Sequence, residues 1–330
     1  MEVMMMRTIV LSTVLLTACG GASTNTPATS TNATPSASTT TSAAATSPPI
    51  DEKAVAAATG AKTESADGVV KASFPRSDVP IEVDGSKLAP FMGVTSWVAF
   101  TPGKAGVEAM MMGDLVLFED EVSRAMSLLL DAGVSVTALH NHFFYSKPAV
   151  FFMHVEGEGA VASLGKTVKG VMDAIGEIRK KTPKPLERSG AAPIADKSAI
   201  DPSKLDAFFG VKGASKDGMY KATFGRAATA SCGCKIGKPM GVNTWAAFAG
   251  TDDAAVVDGD FAVAEAELQP VLKSLRASGI DVVAIHSHMT GETPRILFLH
   301  YWGRGKSAEL AASVKKALDL TAWDGKTQST

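Results

Sequence analysis

The sequence predicts an α+β fold built from two tandem homologous domains, each a mostly antiparallel sheet with helices packed on one face, the pair forming a pseudo-dimer. Three observations lead there: a collinear internal repeat, an alternation of strand-like and helix-like apolar patterns within each copy, and a turn-flanked pair of strands in each copy. The repeat runs at an offset of 150 from Ile50-Asp51/Ile200-Asp201 to Phe74 and Arg76/Phe224 and Arg226. It shifts to 148 at Gly93, Trp97 and Phe100, matched by Gly241, Trp245 and Phe248. From Gly113-Asp114/Gly259-Asp260 onward it holds at 146. Two small deletions account for the drift.

Within the first copy a short helix precedes Gly60. Extended segments follow at Val69–Phe74, Ile81–Val83, Thr95–Phe100 and Ala109–Phe118. From Glu121 to Asp131 the residues Val122, Ala125, Met126, Leu129 and Leu130 recur at helical spacing, and Gly133 closes the helix. Val134–Phe144 and Ala149–Val155 read as two strands around the turn Tyr145-Ser146-Lys147-Pro148, before an amphipathic helix over Ala160–Ile178. The expected boundaries are a signal peptide over 1–19, a tether over 20–49, repeats over 50–179 and 200–322, a linker over 180–199 and a tail over 323–330.

Composition restricts the function. The 330 residues carry 32 Lys+Arg against 34 Asp+Glu, a net charge of −2, and no basic run, so no nucleic-acid partner is expected. Arg7, the apolar run Thr8–Leu16 and Thr17-Ala18-Cys19 read as an export signal too short to span a bilayer, with Cys19 as the lipidated residue. The Ser/Thr/Ala/Pro segment after it has too few apolar residues to offset its ordering entropy and reads as a disordered tether. The expected location is therefore the cell envelope, exported and held to the membrane by a lipid (outer membrane or periplasmic face in a Gram-negative host).

All six histidines fall in two copies of His-x-His-x11-His: His140, His142 and His154, then His286, His288 and His300. Residues two apart on a strand face the same way, so each His-x-His projects two imidazoles together. A hairpin centred on Lys147 places His154 directly across from His140, with Cβ atoms about 5 Å apart; Thr293 is the corresponding centre in the second copy. Three converging imidazoles suit a divalent transition metal, zinc first, with copper, nickel or iron as alternatives. Additional ligands are sought among Glu121, Glu267, Asp114 and Asp260. The two glutamates are also candidate catalytic bases, against the competing expectation that they cap helix N-termini. Arg76 and Arg226 are candidates for an anionic or small-molecule ligand, or for ion pairs with these acids. Trp97 and Trp245 read as core. Cys232 and Cys234 could pair or supply thiolates.

The segment Val136-Thr137-Ala138-Leu139-His140-Asn141-His142, with Pro148, Phe152-Met153-His154, Gly113-Asp114-Leu115-Val116-Leu117 and Phe74-Pro75-Arg76-Ser77-Asp78, resembles the LppY/LpqO family of bacterial lipoproteins. In the second copy Glu292-Thr293-Pro294-Arg295 and His300-Tyr301-Trp302 extend the resemblance, which covers residues 51 to 320. It implies export and the tandem repeat, and no chemistry. The chain departs from the family pattern at Ser287, where Asn is usual, and at Cys232/Cys234. The histidine spacing is also similar to that of zinc-dependent acetolactate decarboxylases, without a match elsewhere in the chain. Metal binding or sensing in the envelope is the leading function. The alternatives are a metal-dependent hydrolase or lyase on a small molecule, and an interaction domain whose histidines bind no metal.

Overall fold

The computed structural model describes residues 48–187 and 190–324. Cys19, the export signal and nearly all of the tether lie outside the described residues, as does most of the tail. The first repeat comprises α1 (Glu52–Thr59), β1 (Lys62–Ala66), β2 (Val69–Pro75), β3 (Thr95–Pro102), β4 (Ala109–Phe118), α2 (Glu119–Asp131), β5 (Ser135–His140), β6 (Val150–Gly159) and α3 (Val161–Lys181). The second comprises α4 (Pro202–Phe209), β7 (Ala214–Lys216), β8 (Met219–Gly225), β9 (Asn243–Gly250), β10 (Ala255–Ala264), α5 (Glu265–Ala277), β11 (Asp281–His286), β12 (Ile296–Gly305) and α6 (Ser307–Leu318).

The repeats do not make separate sheets. Twelve strands form one, in the order β1-β2-β3-β4-β6-β5-β11-β12-β10-β9-β8-β7, with antiparallel pairing throughout. The palindromic order places a pseudo-two-fold axis between β5 and β11, where Leu139 pairs with Ile285.

Period-two alternation assigns the faces. Leu115, Leu117, Leu139, Met153 and Val155 point to one side, where they pack against Val122, Ala125, Met126 and Leu129 of α2 and Val168 and Val171 of α3. The second repeat builds the same layer from Val257, Phe261, Val263 and Leu299 under Leu268, Val271 and Leu272 of α5 and Val314 of α6. These residues form one core that crosses the repeat boundary. Among the described residues, the opposite sheet face carries no helix. It is covered locally by the loop between β2 and β3, whose Val79, Ile81 and Val94 pack on Val116, Phe118, Val150 and Phe152. A smaller equivalent, Ala228, Ala262, Ile296 and Phe298 with Ile236 and Met289, lies in the second repeat.

Each repeat opens in the same way. Asp51 and Asp201 accept from the backbone N–H of Lys53 and Ser203, and Gly60 and Gly210 end the helices in the left-handed region. The helix expected to end at Ile178 runs on to Lys181. Cys232 and Cys234 are bonded to each other at the tip of a ribbon formed by Ala228–Thr229 and Lys235–Ile236. No helix among the described residues is long and apolar enough to cross a membrane.

Candidate metal centres on the helix-free face

The strands that carry the histidines each contain a bulge. On β5, Val136 pairs with Val155 but Ala138 pairs with His154, so Thr137 is the extra residue. On β11, Val282 pairs with Tyr301 and Ala284 with His300, leaving Val283 extra. Beyond the bulge, Leu139 and Ile285 point into the helix-side core, and His140 and His286 point to the helix-free face. The register corrects the hairpin expectation. His140 lies opposite Phe152 and His154 opposite Ala138, a shift of two positions; His286 likewise faces Phe298. A shift of two preserves the face, so the imidazoles still gather. The shift arises because the connection is longer than a tight hairpin: Ser146–Lys147 pairs instead with Glu82–Val83 in a small separate sheet.

The ring geometry is nearly the same in both repeats. His140 and His154 stack with centroids 5.1 Å apart, and His286 and His300 at 5.0 Å. The second imidazole of each pair stands 5.1 Å and 5.0 Å from the first. His142 lies flat on Phe152, with centroids 3.3 Å apart and planes inclined by 6°; His288 lies on Phe298 at 3.5 Å and 8°. Sequence reasoning assigned those phenylalanines no role. The signal was their place two residues before His154 and His300, in register in both repeats.

Asp114 pairs directly with His154, and Asp260 with His300, on the neighbouring strand. Both aspartates therefore point to the histidine side. Each keeps one buried carboxylate oxygen, Oδ1, without a hydrogen-bond partner, and His286 Nδ1 is likewise buried and unpartnered. Such orphaned acceptors are costly unless a cation or proton completes them. Burial pushes the Asp260 carboxyl up to about 6. Burial, and then the neighbouring rings, hold His140, His286 and His288 below the usual imidazole range, which favours the neutral form that binds metals. His142 is lowered as well, chiefly by burial, with Asp114 acting in the opposite direction. His286 Nε2 and His288 Nε2 approach to 3.0 Å. Two nitrogens bound at about 2.0–2.1 Å to one ion stand about 3 Å apart. His288 Nε2 is also 3.9 Å from Asp260 Oδ2. Among the described residues, no group of three or more His, Cys, Asp or Glu side chains is placed so that it could hold a metal ion.

The glutamates are elsewhere. Glu121, with none of its side chain exposed, accepts from Arg76 Nη1 and the Phe118 N–H at one oxygen and from Arg76 Nη2 at the other, which also forms an ion pair with Arg179 Nε. Glu267 accepts from the Ala264 and Ala322 N–H groups and from both terminal nitrogens of Arg226. Four donors fill the four lone-pair sites of the Glu267 carboxylate, and three donors with the Arg179 ion pair surround that of Glu121, so both are committed to internal partners away from the histidines. Arg76 is equally committed: it bonds Asp78, Glu121 and the Val116 carbonyl, above the Phe118 ring. Of the two expectations for Arg76 and Arg226, the ion pairs with these acids are present, to Glu121 and Glu267 respectively. Trp97 and Trp245 are half-buried on the helix-free face, not core, under the ammonium groups of Lys71 and Lys221. A cavity of about 720 Å³ beside the turn, lined by Pro80, Glu119, Lys147 and Lys184 among others, borders none of the histidines.

A tandem α+β protein with two matching polar clusters on an open sheet face is the class that fold and site define. The chain belongs to the family described as domain of unknown function DUF1259, whose model matches residues 53–174 and again 203–320. No curated protein matches it. Among solved structures, a trimeric bacterial microcompartment shell protein, PduB, aligns at 12% identity over 78% of this chain and 89% of that one, with a TM-score of 0.18. A superposition that loose carries no argument.

Proposed function

We propose that the protein is an exported, lipid-anchored member of this family, of the LppY/LpqO kind, that binds a divalent transition metal at each histidine cluster. His140, His142, His154 and Asp114 would hold one ion, and His286, His288, His300 and Asp260 the other. The observation that carries this reading is the pair of buried carboxylate oxygens, Asp114 Oδ1 and Asp260 Oδ1, left without partners beside neutral-leaning imidazoles in both repeats. A structural role for the histidines would leave those oxygens uncompensated. Three nitrogens and one carboxylate suit zinc, with copper, nickel or iron as alternatives. The Cys19 anchor supports an envelope location, where such sites would buffer or sense metal. His288, whose side chain is 38% exposed, favours a second reading: a solvent-open ion that keeps a water position and hydrolyses or cleaves a small molecule.

Elemental analysis of the purified full chain tests the metal reading. Two equivalents per chain are expected, falling to one in His140→Ala. A folded, metal-free protein whose spectra do not change on titration with zinc, copper, nickel or iron would falsify it.

A further inference from the structure

Six consecutive strands of the sheet carry the two clusters. In spatial order β4, β6, β5, β11, β12 and β10 contribute Asp114, His154, His140, His286, His300 and Asp260, all on the helix-free face. Extending the antiparallel register one residue either way from Leu139–Ile285 sets His140 opposite Ala284 and His286 opposite Ala138. Ala138 thus lies between His154 and His286, and Ala284 between His300 and His140. Diagonal neighbours across adjacent strands stand about 7–8 Å apart. His140 and His286 are such neighbours, and the floor between the clusters is two alanines with no bulky side chain to divide them.

We propose that the two clusters form one composite two-cation site, in which loading the first cation weakens binding of the second. The proposal rests on the metal reading above. Each ion would sit over one strand pair, β6/β5 or β11/β12, so their lateral separation is two strand spacings, about 10 Å. A divalent ion facing one aspartate keeps a net charge of about +1. Two such charges at about 10 Å repel by an amount worth about 2-fold in affinity at water's dielectric constant and about 16-fold at an effective value of 20. The Debye length is about 10 Å at 0.1 M salt and about 3 Å at 1 M, so the coupling is salt-sensitive.

The test is a zinc titration of the full chain against a chromophoric chelator, at 10 mM and at 1 M NaCl. Two double variants, His142→Ala/His154→Ala and His288→Ala/His300→Ala, each leave one cluster. At low salt the product of the two wild-type stepwise constants is expected to fall about 2- to 16-fold below the product of the two single-cluster constants, and the gap should close at 1 M. Equal products at low salt overturn the coupling and leave the metal reading intact; a wild-type chain that binds no zinc overturns the metal reading itself. A measurement on the wild type alone covers variants that fail to fold. Loading with two equivalents of Cu2+ should broaden the electron paramagnetic resonance spectrum by dipolar interaction at about 10 Å, relative to one equivalent. Two bound ions with unbroadened lines overturn the composite site.

Discussion

Glu121 and Glu267 hold the same place in the two repeats and differ in what surrounds them. Glu121 is fully buried and faces two arginines, Arg76 and Arg179; Glu267 is 18% exposed and faces Arg226 and backbone N–H groups. Removing one partner of a buried ion pair leaves an uncompensated charge. Glu121→Ala should therefore cost about 3–5 kcal/mol in urea unfolding. Glu267→Ala should cost less, about 1.5–3 kcal/mol, and neither should change metal stoichiometry. Loss of metal without loss of stability in Glu121→Ala would show that the carboxylate serves the site after all. Phe152 gives the complementary case. Its ring supports the flat face of His142, so Phe152→Leu keeps an apolar side chain yet frees the imidazole to rotate. The expected outcome is two ions still bound, with affinity at one cluster reduced about tenfold in chelator competition.

The central strands show how tightly the elements are fitted. On β10, a Cβ at Gly259 would fall 2.1 Å from the Tyr301 ring, which is fully buried and whose hydroxyl donates to the Trp245 carbonyl. The tyrosine lies across the strand where a side chain would otherwise be. Gly259→Ala should thus destabilise by about 1–3 kcal/mol through overpacking, visible as a lowered thermal midpoint. Gly259 and its repeat partner Gly113 were legible as a matched pair in the sequence, but not why each is glycine, because Tyr301 reaches Gly259 only through sheet pairing. The same distinction runs through the site. Apolar alternation and the repeat were enough to mark the strands, the amphipathic helices and the shared face of each histidine cluster. Register was not, since a bulge at Thr137 or Val283 inserts a residue without disturbing the local pattern, and Ser146–Lys147 leaves the hairpin for another sheet. The fourth-ligand candidates separated for a similar reason. Asp114 and Asp260 follow from strand adjacency, whereas the fate of Glu121 depended on Arg179, 58 residues away in sequence.

At the scale of the molecule, the repeats share more than ancestry. The junction strands β5 and β11 join the two halves of the one sheet, α2 packs against α5, and one apolar core runs through both halves. Side chains from each repeat also complete the other. Gln269 of α5 donates to the Val136 carbonyl and accepts from the Val136 N–H, where the bulge of β5 exposes its backbone; Ser123 of α2 bonds Asp281, and Arg276 bonds Ser127. No repeat symmetry in the sequence announces these contacts, because position 123 is Ser where position 269 is Gln. A shared core of this kind couples the halves, so urea unfolding followed by far-UV circular dichroism and by tryptophan fluorescence should give coincident single transitions. Trp97 alone lies in the first repeat, while Trp245 and Trp302 lie in the second and Trp323 directly after it, so the two probes weigh the halves differently. Gln269→Ala removes both side-chain partners of the Val136 backbone at a part-buried position and should lower stability by about 1–3 kcal/mol. Because the core still spans the junction in that variant, its two probes should continue to coincide. If they separate, the halves fold as independent units joined only by the clamp, and the sheet would then owe its continuity to Gln269 more than to the residues packed beneath it.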